Sequence, residues 1–277
     1  MASSFKIIDT ENDVVSTRTL LHEAIPITGT IVNFATGAYA DTNIKNFSHG
    51  MFQSVYDYPY LSSSANHIFD VSFGHSSVAG WGLNTSNTQN TKKINIYNEM
   101  AQVLAGFDEN GNVRRFDKDG DLTGGAKLDS VFFLNFTRLL AKDEIKKGSF
   151  SLELGVKADF DITTTGKDPF SERIKLTDAS GSNGFKVNSP VGEYGLLFAE
   201  DTQGSRLTNT SPCGLIYYQA GICVVTGGIF NSTTNTGGYL NTNNCEMLRV
   251  QQAGQTLLYM NGLATGSAIT GACDAFR

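Results

Sequence analysis

The alternation in residues 67–74, HIFDVSFG, constrains this chain more than any other feature. Phe69, Val71 and Phe73 recur at every second position until Gly74 ends the run, which is the period of a strand with one buried face. Short apolar runs of strand length follow at 131–136 (VFFLNF), 149–156 (SFSLELGV), 194–199 (YGLLFA), 214–218 (GLIYY) and 221–226 (GICVVT). Gly-rich turns punctuate them at spacings suited to antiparallel pairing. A mainly β fold is therefore predicted, with an antiparallel β-sandwich or barrel-like core.

One segment has a different period. In residues 92–106, KKINIYNEMAQVLAG, the residues Ile94, Tyr97, Ala101 and Leu104 share one helical face. Thr91 is a suitable N-cap, and Gly106 sits where a left-handed residue ends a helix without a Cβ clash. A single α-helix over about 92–105, packed on the sheet, is expected. Beyond it, Asn110-Gly111 predicts a hairpin with a type I′ turn, and residues 117–125 predict a second turn.

Residues 1–65 lack a long helical period and contain short extended pieces broken by Pro26, Gly37 and Gly50. They are expected to form an extended N-terminal arm, with residues 66–277 as a β-rich core that divides, if at all, near 205–212. Within the arm, residues 51–60 (MFQSVYDYPY) place Phe52, Tyr56, Tyr58 and Tyr60 close together. Strand alternation would put Tyr56, Tyr58 and Tyr60 on one side. Rigid amphipathic rings of this kind are enriched in protein interfaces, so these four residues are the candidate interface.

Composition narrows the partners. Charged residues make up 17 % of the 277 residues, against roughly 25 % in an average globular chain, and Gly, Ser, Thr and Asn are abundant. A chain of this length buries a core without disulfide staples or a metal. With a formal net charge of −6 there is no broad positive field for phosphate, so nucleic acid is not an expected partner. The N-terminal residues have no basic stretch followed by an apolar one, and no window nears the 18 or so apolar residues of a membrane span. The expectation is a chain made and kept in the cytoplasm, with no membrane partner. Cys213, Cys223, Cys245 and Cys273 show no Cys-x-x-Cys spacing and are expected to be reduced and mostly buried.

Motifs that could carry chemistry fail on context. Gly74-His75-Ser76 begins like a nucleophile elbow, but Val78 stands where a small residue is needed and a polar loop follows in place of a helix. Asp117, Asp119 and Asp121 alternate like calcium ligands, yet Gly120 is misplaced for an EF-hand and no glutamate closes the loop. A solvated turn is the expectation there. His22, His49, His67 and His75 match no zinc spacing, and residues 120–128 lack the order of a phosphate-binding loop. No catalytic residue, metal or cofactor is expected.

Several segments carry a resemblance. Residues 52–60, 65–74 and 94–104, together with 135–152 (NFTRLLAKDEIKKGSFSL) and 194–198, resemble virion structural proteins of contractile-tailed phages (myoviruses) infecting marine cyanobacteria. The similarity touches most of residues 50–230 and its motifs have no catalytic content. It implies a non-enzymatic, late-expressed particle protein of the tail or baseplate region, located in the virion after synthesis and assembly in the host cytoplasm. Its implied partners are other virion proteins and copies of itself. Proteins of that family run on past a segment like 269–277, so a shortened member or a piece of a longer chain is expected. The alternative from another class is a glycan-binding adhesin or tail-fibre module, with Trp81 and the tyrosines stacking on sugar rings. An enzyme would need ionisable groups that converge in space, which sequence spacing does not display.

Overall fold

The computed structural model describes residues 20–21, 44–56, 59–78, 88–122, 124–137, 144–158, 170–179, 181–200, 211–230, 239, 269 and 273. Twelve strands are present among them: β1 (Leu20–Leu21), β2 (Ile44–Asn46), β3 (Gln53–Tyr56), β4 (His67–His75), β5 (Ser130–Asn135), β6 (Glu144–Ile145), β7 (Ser151–Ala158), β8 (Phe170–Thr177), β9 (Lys186–Ser189), β10 (Gly192–Glu200), β11 (Gly214–Tyr217) and β12 (Ile222–Thr226). Ten of them form one open antiparallel sheet in the order β2-β3-β4-β5-β12-β11-β10-β8-β7, with β9 added beside β10. The short β1 pairs in parallel with β6 apart from it. The protein is therefore mainly β, as the alternation predicts, with its ladder running continuously through one sheet.

The centre of the sheet is covered on both faces. In β5, Val131, Phe132, Phe133 and Leu134 are consecutive and all at most 1 % exposed, a pattern that a strand with one wet face does not allow. Register places Phe73, Phe132 and Val225 on one face, and Ser72, Phe133 and Val224 on the other. On the first face, Phe132 packs against Phe73 at 5.1 Å and Phe230 at 6.1 Å between ring centroids. Cys273 also reaches this part of the sheet, its Sγ 3.4 Å from the carbonyl oxygen of Val71. On the second face, Phe133 meets Phe116 at 5.8 Å and Tyr97 at 6.5 Å, and Phe116 extends the layer to Tyr217.

Tyr97 belongs to the helix α1 (Thr88–Leu104), which lies across β4. Gly74 explains the closeness of the crossing: a Cβ there would stand 3.0 Å from both the carbonyl oxygen of Lys93 and the amide nitrogen of Tyr97. Any larger residue would push the helix off the sheet. Tyr97, Ala101 and Leu104 form the buried face as expected, but Ile94 is half-buried and Lys93 is wholly buried in its place. The helix also begins at Thr88, so Thr91 is an interior residue and not the N-cap. Its C-terminus is as expected, with Gly106 at φ 77° and its amide bonded to the carbonyl of Ala101 at 3.0 Å.

A hairpin follows, with Phe107 bridging Val113. Its turn differs from the expected type I′, which needs positive φ at both central residues. Gly111 has φ 79°, while Leu122 is the one non-glycine residue with positive φ among those described, so Asn110 does not share the left-handed conformation. The Gly111 amide donates to the carbonyl of Asp108 at 3.1 Å, and the Asp108 carboxylate accepts from the amides of Asn110 and Asn112. That side-chain cap makes the three-residue turn with a trailing left-handed glycine the better solution.

The second half of the expected arm is part of the sheet. Residues 44–46 and 53–56 are β2 and β3, and β3 pairs along β4. Cys213, Cys223 and Cys273 are buried and form no disulfide among the described residues, as expected, and Cys245 lies outside the described residues.

Candidate interaction surface

Two aromatic groups lie at the β2–β3 end of the sheet, one at the hairpin turn and one where β3 gives way to β4. Its turn closes with the Gly50 amide donating to the Phe47 carbonyl at 2.9 Å, and Gly50 takes φ 66°. That turn brings Phe47 and Phe52 to 4.7 Å, with His49 stacked on Phe47 at 5.4 Å and the Lys45 ammonium 5.0 Å from the Phe47 ring centre. Met51 donates its amide to His49 Nδ1 at 3.0 Å, which fixes the imidazole against the rings.

The second group contains Tyr56, Tyr60 and His67. Tyr56 meets His67 edge-on at 5.4 Å and Tyr60 at 6.3 Å. His67 Nε2 is 2.6 Å from Asp70 Oδ1, and Ser54 donates to that same carboxylate at 2.5 Å. Tyr56 and Tyr60 do face each other, but through a turn and not by the expected alternation. The register slips between Val55 and Tyr56, β3 ends, and the carbonyl of Pro59 accepts the amide of Ser62 at 2.7 Å. Proline cannot donate to a ladder, so a strand through it is disfavoured. Phe52 and Tyr56 are half-buried, Tyr60 is 37 % exposed and Leu61 is 85 % exposed. Tyr58 and Trp81 lie outside the described residues.

Three of the four predicted interface residues thus flank one hairpin. Phe47 and His49 were not singled out by the sequence reading, although their spacing from Phe52 around Gly50 is the signal that a tight turn would gather them.

The candidate chemical groups are engaged in the fold. Ser76 is buried and donates its hydroxyl to Asp129 Oδ1 at 2.7 Å, while Arg115 lies 3.0 and 3.2 Å from the two Asp129 oxygens. The neighbouring His75 ring approaches the Ser76 carbonyl at 3.4 Å, and burial, with Lys93 nearby, pushes its pKa down. The carboxylates of Asp117, Asp119 and Asp121 do gather within 4.8 Å. Asp117, however, spends one oxygen on Lys127 at 2.6 Å and the other on the Leu122 amide at 2.7 Å. Burial raises its pKa, but the bonds from Lys127 and the Leu122 amide, a hydrogen bond with Asp119 and the charge of Lys127 together hold it below the usual carboxylate range.

A further buried cluster anchors residues 144–150 to the sheet. Asp178 accepts from the amides of Gly148 and Phe150 at 2.7 and 2.8 Å and from the Tyr218 hydroxyl at 3.0 Å. Lys147 pairs with Glu144 at 3.1 Å and with Glu193, and its ammonium sits over the rings of Phe185 and Tyr218. A Cβ on Gly181 or Gly195 would collide with the Tyr218 hydroxyl, so these glycines make room for the network. Such a network positions backbone; its groups point at each other.

No protein-family model, curated protein or solved structure matches the chain.

Proposed function

We propose that the chain is a non-enzymatic structural subunit of a bacteriophage virion, in the tail or baseplate region. It works by fitting other particle proteins and copies of itself, with neither nucleic acid nor a membrane as partner. The observation that carries this reading is the aromatic edge hairpin. Phe47, His49 and Phe52 form one stack at the β2–β3 turn and Tyr56, Tyr60 and His67 another where β3 gives way to β4, at the end of the sheet that is outermost among the described residues, and the rings of both are partly open to solvent. Preordered rings lose little entropy on docking and supply the large contact area that interface anchors need. The polar clusters support the same reading, because Asp117, Asp129 and Asp178 are each satisfied by partners within the fold.

Quantitative mass spectrometry of purified particles from a phage encoding this chain, with heads and tails separated first, tests the proposal. Stoichiometric recovery with tails is expected. Recovery with heads would move the subunit to the capsid or neck, and absence from particles would overturn the structural role.

A further inference from the structure

Lys147 is held in a way that a surface ion pair is not. Its ammonium lies 3.1 Å from Glu144 Oε1 and in contact with Glu193 Oε2, so one amine stands between two carboxylates. The side chains of Lys147 and Glu144 are 10 % and 6 % exposed. Glu193 is half-buried, but the oxygen that touches Lys147 is shut off from solvent and no other donor among the described residues reaches it. Two rings complete the surroundings, Phe185 with its centre 5.1 Å from the ammonium and Tyr218 with its centre at 5.5 Å.

The backbone on both sides of the contact is fixed. Glu193 belongs to β10, and its carbonyl accepts the Tyr218 amide at 3.2 Å. On the Lys147 side, the Ile145 amide donates to the Tyr218 carbonyl at 3.0 Å, and Asp178 holds the amides of Gly148 and Phe150. Neither partner has to search for the other, and reactants held in contact reach effective molarities of roughly 10⁵–10⁸ M. An ammonium and a carboxylate taken out of water also cost free energy to keep charged, and condensing them removes both charges.

We infer that Lys147 and Glu193 condense to an amide, an internal cross-link between residues 144–150 and β10, with Glu144 as the proton carrier. Glu144 takes a proton from the ammonium, and the freed amine attacks the carboxyl carbon of Glu193 to form the C–N bond. The C–O bond then breaks, and the departing oxygen leaves as water with the two protons that the nitrogen has given up. Nothing is oxidised or reduced, and no co-reactant is needed. The two carboxylates have different tasks: Glu193 supplies the carbon that reacts, and the more buried Glu144 supplies a base beside the amine. Phe185 and Tyr218 keep bulk water from the product, which opposes hydrolysis. The bond belongs to the chain by itself and stands apart from any place in a particle.

The purified full chain tests this by mass spectrometry of the intact, denatured protein, followed by digestion with trypsin and sequencing of the peptides. The wild type is expected to be one water lighter than its sequence requires. Trypsin should fail to cut after Lys147 and should release a branched peptide that joins Lys147 to Glu193. Lys147→Arg and Glu193→Ala should each keep the full sequence mass, and Glu144→Gln should lose water more slowly than the wild type. A wild type that is folded by near-UV circular dichroism and has its full sequence mass would overturn the inference. So would a water loss that persists in Lys147→Arg, that the peptides place at other residues, or that proceeds in Glu144→Gln at the wild-type rate. The wild-type mass and its peptides decide the question even where a variant fails to fold.

Discussion

The two ends of the sheet solve the edge problem differently. At one end, β2 has three residues, carries Lys45 at its middle, and turns into a hairpin faced with aromatic rings. At the other, β7 has eight residues, pairs antiparallel with β8 and also carries a lysine, Lys157. A short edge with a lysine discourages strand addition, so what the β2 end offers a neighbour is side chains. A long regular edge offers backbone, and backbone pairing suits a partner with the same geometry.

The harshest way to break this comparison is to remove one end. Deletion of residues 1–60 takes away β2 and β3, strips the ladder from β4 and uncovers Phe69 and Val71, which are 5 % and 0 % exposed. The expected product has lost cooperative thermal unfolding and near-UV dichroism. That differs from what a detachable arm over residues 1–65 would give, namely a folded core.

The next effect in size probes the rigid middle that both ends share. In Tyr97→Phe, the carbonyl of Leu128 and the amide of Phe116, bonded to the Tyr97 hydroxyl at 2.9 and 3.1 Å, lose their partner inside the core. Urea denaturation should show a loss of about 1–3 kcal/mol, with no change in the aromatic stacks of the edge hairpin.

Lys93 sharpens the comparison through pH. Burial lowers its pKa to about 8, from an ordinary 10.5, so the unfolded chain holds more protons between those values. Stability contributed through this residue is therefore lowest below pH 8 and rises from there toward about pH 10.5. Lys93→Met should flatten that rise in denaturation curves taken at neutral and alkaline pH. A wild-type curve that falls over this window, unchanged in the variant, would show that the ammonium is not held in the core.

The smallest effect on stability belongs to the aromatic end. Phe52→Ser and Tyr56→Ser each remove two ring–ring contacts at half-buried positions and should cost about 1 kcal/mol in thermal or urea unfolding. Their effect on incorporation into particles should be far larger than their effect on folding, as expected for rings that serve a neighbour.

Much of this architecture is legible in the sequence, for local reasons. The runs at β4, β5, β7, β10, β11 and β12 are apolar enough, and their glycine turns sharp enough, to mark strands without tertiary information. The helix shows through Tyr97, Ala101 and Leu104, but its first turn, TQNT at 88–91, is polar and carries no period, so its true start is hidden. Lys93 at the buried face contradicts hydrophobic patterning, and only the fold shows its ammonium 5.9 Å from the Phe73 ring centre. Strand order is not local either: β12 lies between β5 and β11 in the sheet, a placement that no spacing along the chain encodes. At the candidate surface, Phe52, Tyr56 and Tyr60 could be picked out by composition. Their arrangement could not, because the ladder slips and ends at Tyr56, and Tyr60 meets Tyr56 from the turn over Pro59 to Ser62.

Amide hydrogen exchange over residues 44–56, compared between the isolated chain and the chain within purified particles, tests the role of this edge most directly. The account predicts strong added protection of β2 and β3 in particles, in excess of that gained by the central strands. Equal exchange rates in the two states would contradict it, because an edge that meets a neighbour cannot remain as open to water as one that does not.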